Sequence, residues 1–224
     1  MGQPVLTATL AGVIAVIFTA AIAAVTSASD TLSRAVKFIG VVALIAFAVV
    51  ALQRANLRIN FTGSMPIGIY SLSPLPLDGV KRGMLVAACA PSRAAEIGRQ
   101  RGYLDAGPCA GDTELLLKSV AAIAGDEVEV TPAGVTVTGC LLDRSRPAPR
   151  DRSARQLGAW PSGHYRLAAG QVWLYAADDR SWDSRYWGPA AATSVADNAY
   201  PVLVLPARSA RRRACRIALP AGLP

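Results

Sequence analysis

"ELLLKSVAAIAGDEVEVTPAGVTVTG", residues 114 to 139, decides the fold. Its second half alternates apolar and polar residues on both sides of Pro132-Ala133-Gly134, the pattern of a β-hairpin. Its first half, 114 to 123, reads as a strand in which Leu116 and Lys118 point to one face. On a buried face the Lys118 ammonium is costly, and its pKa falls toward neutrality. On a solvent face it is an ordinary surface lysine. The segment alone leaves the two readings open.

Outward from that stretch the pattern repeats. "IGIYSLS" (67 to 73), "GMLVAAC" (83 to 89), "GHYRLA" (163 to 168), "QVWLYAA" (171 to 177) and "YPVLVLP" (200 to 206) are short strand-like segments bounded by turn residues. Only 90 to 107 is helix-capable, its "SRAAEIGRQ" opening at a serine suited to a cap. The Arg/Pro-rich "DRSRPAPRDRSARQLGAWPSG" (143 to 163) lacks periodicity and reads as a long loop. The fold class expected for residues 56 to 206 is mainly β.

Before this domain, residues 1 to 55 read as a membrane anchor. Residues 5 to 28 carry no charge and are long enough to span as a helix, which needs about 20 residues. A second span is expected at about 36 to 54, although its charge-free run of 38 to 52 reaches only about 22 Å. It spans if Lys37 and Arg54 snorkel outward or the bilayer thins. Arg34 and Lys37 between the two runs set the linker in the cytoplasm. The β domain is therefore expected on the outer face of the membrane.

The formal charge of +8 is concentrated at the end of the chain. The tail 207 to 224 holds five arginines and no acid, and the remainder, at +3, does not suggest nucleic-acid binding. That tail reads as basic and flexible. One histidine, His164, and four cysteines without CxxC spacing give no metal or cofactor site.

The chemistry points to "NFTGSMPIGIY", residues 60 to 70, where Pro66 pushes Met65 toward extended geometry and Gly63 and Gly68 relieve crowding around Ser64. A nucleophilic serine needs a base. His164 starts a strand beside a glycine and reads as an edge residue, while Lys81 sits in a turn, "DGVKRG", open to water. Lys118, flanked by apolar residues, is the remaining lysine outside the linker. A third segment, "SWDSRYWGP" (181 to 189), places Asp183 and Arg185 on one face if extended, spaced to pair as a charge-assisted fork.

"NFTGSMPIGIY", "LLLKSVAAIAGD" and "SWDSRYWGP", in this order, resemble the type I signal peptidase clan of Ser/Lys serine proteases. The N-x-T-x-S-M-P-x-G-x-Y form, with the cysteines flanking "CAPSRAAEIGRQRGYLDAGPC", is most similar to the TraF-type conjugative transfer peptidases. There are departures: Ser119 and Ala124 replace an arginine and a proline of the usual lysine motif, and "AADDR" stands where general signal peptidases carry Gly-Asp-Asn. These favour the transfer branch over a housekeeping enzyme.

The resemblance implies antiparallel β-sheets with Lys118 in an apolar pocket beside Ser64. It implies Ser64 as nucleophile, Lys118 as general base, the Ser64 N–H and Thr62 hydroxyl as oxyanion hole, and Ser181 as the residue orienting the lysine. Asp183 and Arg185 become structural support. It further implies a pilin or other secreted precursor as substrate, partners in the conjugative transfer (type IV secretion) apparatus, and membrane lipids around the anchor. The acyl-enzyme would be resolved by water or by a peptide amine that cyclises the product. Two alternatives stay open: a general type I signal peptidase acting on exported preproteins, and a non-catalytic component of the transfer apparatus. A Cys89–Cys109 disulfide is expected to staple a long connection, and the pairing of Cys140 and Cys215 is left open.

Overall fold

A computed structural model describes residues 31 to 54 and 56 to 205. The first expected span, 5 to 28, and the basic tail, 207 to 224, lie outside the described residues. The described residues fall into two compact units divided between Leu57 and Arg58.

The first unit is a helix, α1 (Thr31–Arg54). It leaves Val36, Phe38, Ile39, Val42, Ile45, Phe47 and Val50 exposed. Among the described residues no helix is long and apolar enough to cross a membrane. The span expected at about 36 to 54 is thus present as a helix but not supported as a span. Its apolar run, 38 to 52, covers only about 22 Å of a hydrocarbon core about 30 Å thick.

The second unit is mainly β. Its strands are β1 (Leu57–Asn60), β2 (Gly68–Pro74), β3 (Leu85–Ala88), β4 (Leu116–Ala122), β5 (Glu127–Thr131) and β6 (Gly134–Val137). They continue with β7 (Cys140–Leu141), β8 (Gly163–Arg166), β9 (Gln171–Tyr175), β10 (Ala190–Ala191) and β11 (Val195–Val204). A seven-stranded sheet has the order β1-β2-β11-β3-β4-β9-β10, and a four-stranded sheet the order β7-β6-β5-β8. Strand pairs with a defined register are antiparallel, as expected.

The hairpin of residues 127 to 139 forms, with Thr131 opposite Gly134. Pro132 and Ala133 alone make the turn, and Gly134 already opens β6 with φ +151°. A Cβ there would stand 2.7 Å from the Ser145 hydroxyl, so the position excludes other side chains. Val128, Val130, Val135 and Val137 from this hairpin pack against Ala121, Ala122, Trp173 and Tyr175 of the large sheet. Each buried valine contributes about 1.5–3 kcal/mol.

Between β3 and β4 lies α2 (Ser92–Gln100), closed off by the Cys89–Cys109 disulfide. Pro91, not Ser92, is its N-cap, and no side chain caps it. The helix starts at the serine itself, so the Ser92 hydroxyl falls inside the first turn rather than at the cap. Closing a loop of this length contributes about 3 kcal/mol in the chain-entropy account. Cys140 is disulfide-bonded as well.

The long loop after β7 carries one isolated bridge, Arg150 with Gln156. β1, β7 and β10 are strands that alternation does not reveal, and β11 begins five residues before the apolar run that marks it in the sequence.

Candidate active site

Ser64 sits on the connection between β1 and β2. Met65, 7% exposed, plugs into a cluster with Tyr70, Leu85, Leu117 and Ala199. Tyr70 is fully buried and its hydroxyl donates to the Pro66 carbonyl at 2.6 Å. Gly68, at φ +156°, lets the chain re-enter the sheet where a Cβ would lie 2.1 Å from the Leu203 carbonyl oxygen. These contacts fix the residues on both sides of Ser64, while Ser64 itself stays half-buried at the surface.

Lys118 comes from the middle of β4, opposite Val86 of β3. β3 is buried throughout and β4 is buried from Leu117 to Ala122, because both faces of the large sheet are covered at this point. Lys118 is therefore 2% exposed, which decides between the two readings of its strand. Its Nζ lies 3.4 Å from Ser64 Oγ. Burial pushes the amine down to about 8, the Asp183 carboxylate opposing that fall and the Arg185 guanidinium adding to it.

Thr62 Oγ1 is 3.1 Å from Ser64 Oγ and donates to Asn60 Oδ1 at 2.7 Å. Thr62, Ser64 and Lys118 are thus brought together. Ser181 is not joined to them by a hydrogen bond. Its Oγ is buried and finds no hydrogen-bond partner, and the bond expected to orient Lys118 is not made. A turn closed by the Ser181 N–H on the Asp178 carbonyl, 3.1 Å, holds its backbone.

Asp183 and Arg185 do pair, but not on an extended segment. Asp183 caps the short helix α3 (Ser184–Trp187), accepting from the Arg185 N–H. The Arg185 side chain turns back on it with Nε to Oδ1 at 2.8 Å and Nη2 to Oδ2 at 2.9 Å. Both side chains are fully buried, and Arg185 also donates to the carbonyls of Arg144 and Ala176. Trp182, beside Ser181, donates its Nε1 to the Ala94 carbonyl of α2 and stacks on Tyr186 at 5.4 Å.

The competing bases lie elsewhere. His164 is on β8 of the small sheet, its side chain 84% exposed beside Glu129. Lys81 is an exposed partner of Asp78. A neutral lysine amine against a serine hydroxyl is suited to general-base activation of a nucleophile. Acylation of Ser64 by a small p-nitrophenyl ester, corrected for a Ser64→Ala blank, is expected to rise roughly tenfold per pH unit and level off above about 8. A rate independent of pH between 6 and 9 would show that Lys118 is not the base.

The chain matches the family described as signal peptidase, peptidase S26, over residues 3–203, and it belongs to that family. It is a peptidase of the signal peptidase type. Its relatives include the plasmid transfer protein TraF of Escherichia coli, 37% identical over 151 residues that cover 66% of this chain and 84% of that protein. The probable conjugal transfer protein TraF of Sinorhizobium fredii is 37% identical, covering 65% and 76% of the two chains. The conjugal transfer protein TraF of Agrobacterium fabrum is 31% identical, covering 75% and 94%. Among solved structures, a signal peptidase I from Enterococcus faecalis aligns at 16% identity with a TM-score of 0.32, over 56% of this chain and 98% of the other.

Asn60 and Tyr70 were not singled out by residue type. Their place in the motif around Ser64 was the available signal.

Proposed function

We propose that the protein is a membrane-anchored serine endopeptidase that matures a conjugative pilin precursor. The observation that carries this is a buried lysine amine 3.4 Å from the hydroxyl of Ser64. The relatives named for plasmid and conjugal transfer support the substrate class.

Neutral Lys118 takes the Ser64 proton as Ser64 Oγ attacks the carbonyl carbon of the scissile bond. The Ser64 N–H and the Thr62 hydroxyl donate to the resulting oxyanion. Collapse of the intermediate breaks the C–N bond, and Lys118 returns the proton to the leaving amine. The ester on Ser64 is then opened by water, giving a linear product, or by a peptide amine, giving a cyclic one.

Anchorage rests on the charge-free run 5 to 28 and on the apolar side chains that α1 leaves exposed. An oxidising compartment suits the disulfide-bonded Cys89, Cys109 and Cys140, which supports a periplasmic catalytic unit. Mass spectrometry of a pilin precursor co-expressed with the wild type and with Ser64→Ala tests the reading. Processing that depends on Ser64 is expected, and a cyclic product is lighter than the linear one by one water. Unchanged processing by Ser64→Ala would sink the proposal. Cleavage of many unrelated exported preproteins would favour a general signal peptidase instead.

A further inference from the structure

Asn60 takes no part in the proton transfers proposed above, yet it makes more hydrogen bonds than any of the groups that do. It closes β1, is 7% exposed, and lies four residues before Ser64. Its Nδ2 has the carbonyls of Thr62, Met65 and Pro66 at 3.0, 3.0 and 3.1 Å, its two protons shared among the three acceptors. Its Oδ1 accepts from the Thr62 N–H at 3.2 Å and from the Thr62 hydroxyl at 2.7 Å.

The surroundings fix which way this amide points. Carbonyl oxygens only accept, so three of them face the NH2 end and leave Oδ1 toward Thr62. Oδ1 carries no proton, and the single Thr62 hydroxyl proton therefore goes to Asn60. That leaves Thr62 Oγ1 with lone pairs to offer Ser64, 3.1 Å away. The hydroxyls run in one direction, Ser64 to Thr62 to Asn60. In this resting arrangement the Thr62 proton is committed to Asn60 and is not free for an oxyanion.

Building on the Ser64/Lys118 reading, we infer that Asn60 is a positioning residue that sets the direction of the Thr62 hydroxyl and, through it, that of Ser64. When a substrate carbonyl arrives, the Thr62 O–H turns from Asn60 to the oxyanion while Ser64 gives its proton to Lys118. Thr62 keeps its own proton throughout. Asn60 Oδ1 retains the Thr62 N–H, so the turn leaves no buried acceptor without a partner. Met65 and Pro66, held by the other end of the same amide, keep Ser64 in place while this happens.

A double-mutant cycle tests this. The full chain in detergent is acylated with p-nitrophenyl acetate, read by p-nitrophenolate release and by intact mass. Thr62→Val is expected to slow acylation about 10²–10³-fold, the loss of one oxyanion donor. Asn60→Ala is expected to slow it about 10²-fold alone, because Thr62 loses the acceptor of its N–H and hydroxyl that holds it beside Ser64, and at least tenfold less in the Thr62→Val background, where that hydroxyl is already gone. A smaller difference between the two backgrounds overturns the inference. So does a shift of the pH midpoint in Asn60→Ala by more than about half a unit, since Asn60 would then act on Lys118. If Asn60→Ala does not melt cooperatively, the same cycle with Asn60→Ser is judged by the same criterion. Wild-type acylation in Ser64→Ala would overturn the dyad itself. A silent Ser64→Ala with additive losses at Asn60 and Thr62 would overturn only this inference.

Discussion

Arginine in place of Lys118 is expected to slow acylation of Ser64 by about 10³-fold or more, as completely as Ser64→Ala. A guanidinium stays protonated throughout the working pH range and has no lone pair to take the serine proton. It is also larger than the site, which packs Lys118 at 2% exposure between covered faces of the sheet. Ester turnover and intact mass report the loss directly, and circular dichroism checks that both variants remain folded. His164→Ala is expected to stay within about twofold of wild type, because its side chain is 84% exposed on the other sheet. Substantial activity in Lys118→Arg together with loss in His164→Ala would reverse the assignment of the base.

The largest effect on stability is expected at Asp183. Asp183→Ala should cost about 3–5 kcal/mol, because it leaves the fully buried Arg185 guanidinium without its countercharge. It also strips the Ala176 N–H and the Arg185 N–H of their acceptor. For a unit of this size the melting temperature should fall on the order of 10 °C. Replacing the pair together, Asp183→Leu with Arg185→Met, should recover most of that loss, since no unpaired charge remains. A single variant that melts like wild type would mean that water or another group reaches Arg185. The pair also bears on Lys118, which feels Asp183 and Arg185 with opposite sign. Asp183→Asn is therefore expected to move the acid limb of the rate profile to lower pH, and Arg185→Gln to higher pH.

Much of this could be read from the chain, and the failures have physical causes. Alternation located the central strands because their turns are marked by Gly and Pro, as at Pro132-Ala133. It could not decide the environment of Lys118, since strand period gives a face but not what covers it. Burial of β4 on both sides supplied the answer. Asp183 and Arg185 were legible as a pair from their types, but not their helical turn, in which a capping carboxylate and a returning guanidinium do the work of an extended fork. β11 escaped in its first half because "VADNA" carries Asp197 and Asn198 in a strand that bonds neighbours on both edges. The role expected of Ser181 depended on an ångström-scale approach to the lysine amine, which residue type and order do not determine.

The position of β11 has a consequence for biosynthesis. In the large sheet it lies between β2 and β3, so Ser64, carried just before β2, and Lys118, on β4, stand on opposite sides of it. It is also the last strand described, Val195–Val204. As the chain is made, Ser64 and Lys118 therefore belong to two pieces of sheet that are not hydrogen-bonded to each other until β11 enters between them. Long-range pairing of this kind is slow, because a loop of over a hundred residues must close before it is rewarded. On the proposed reading, a dyad completed by β11, the last strand among the described residues, is expected to stay inert until that strand has been made and docked.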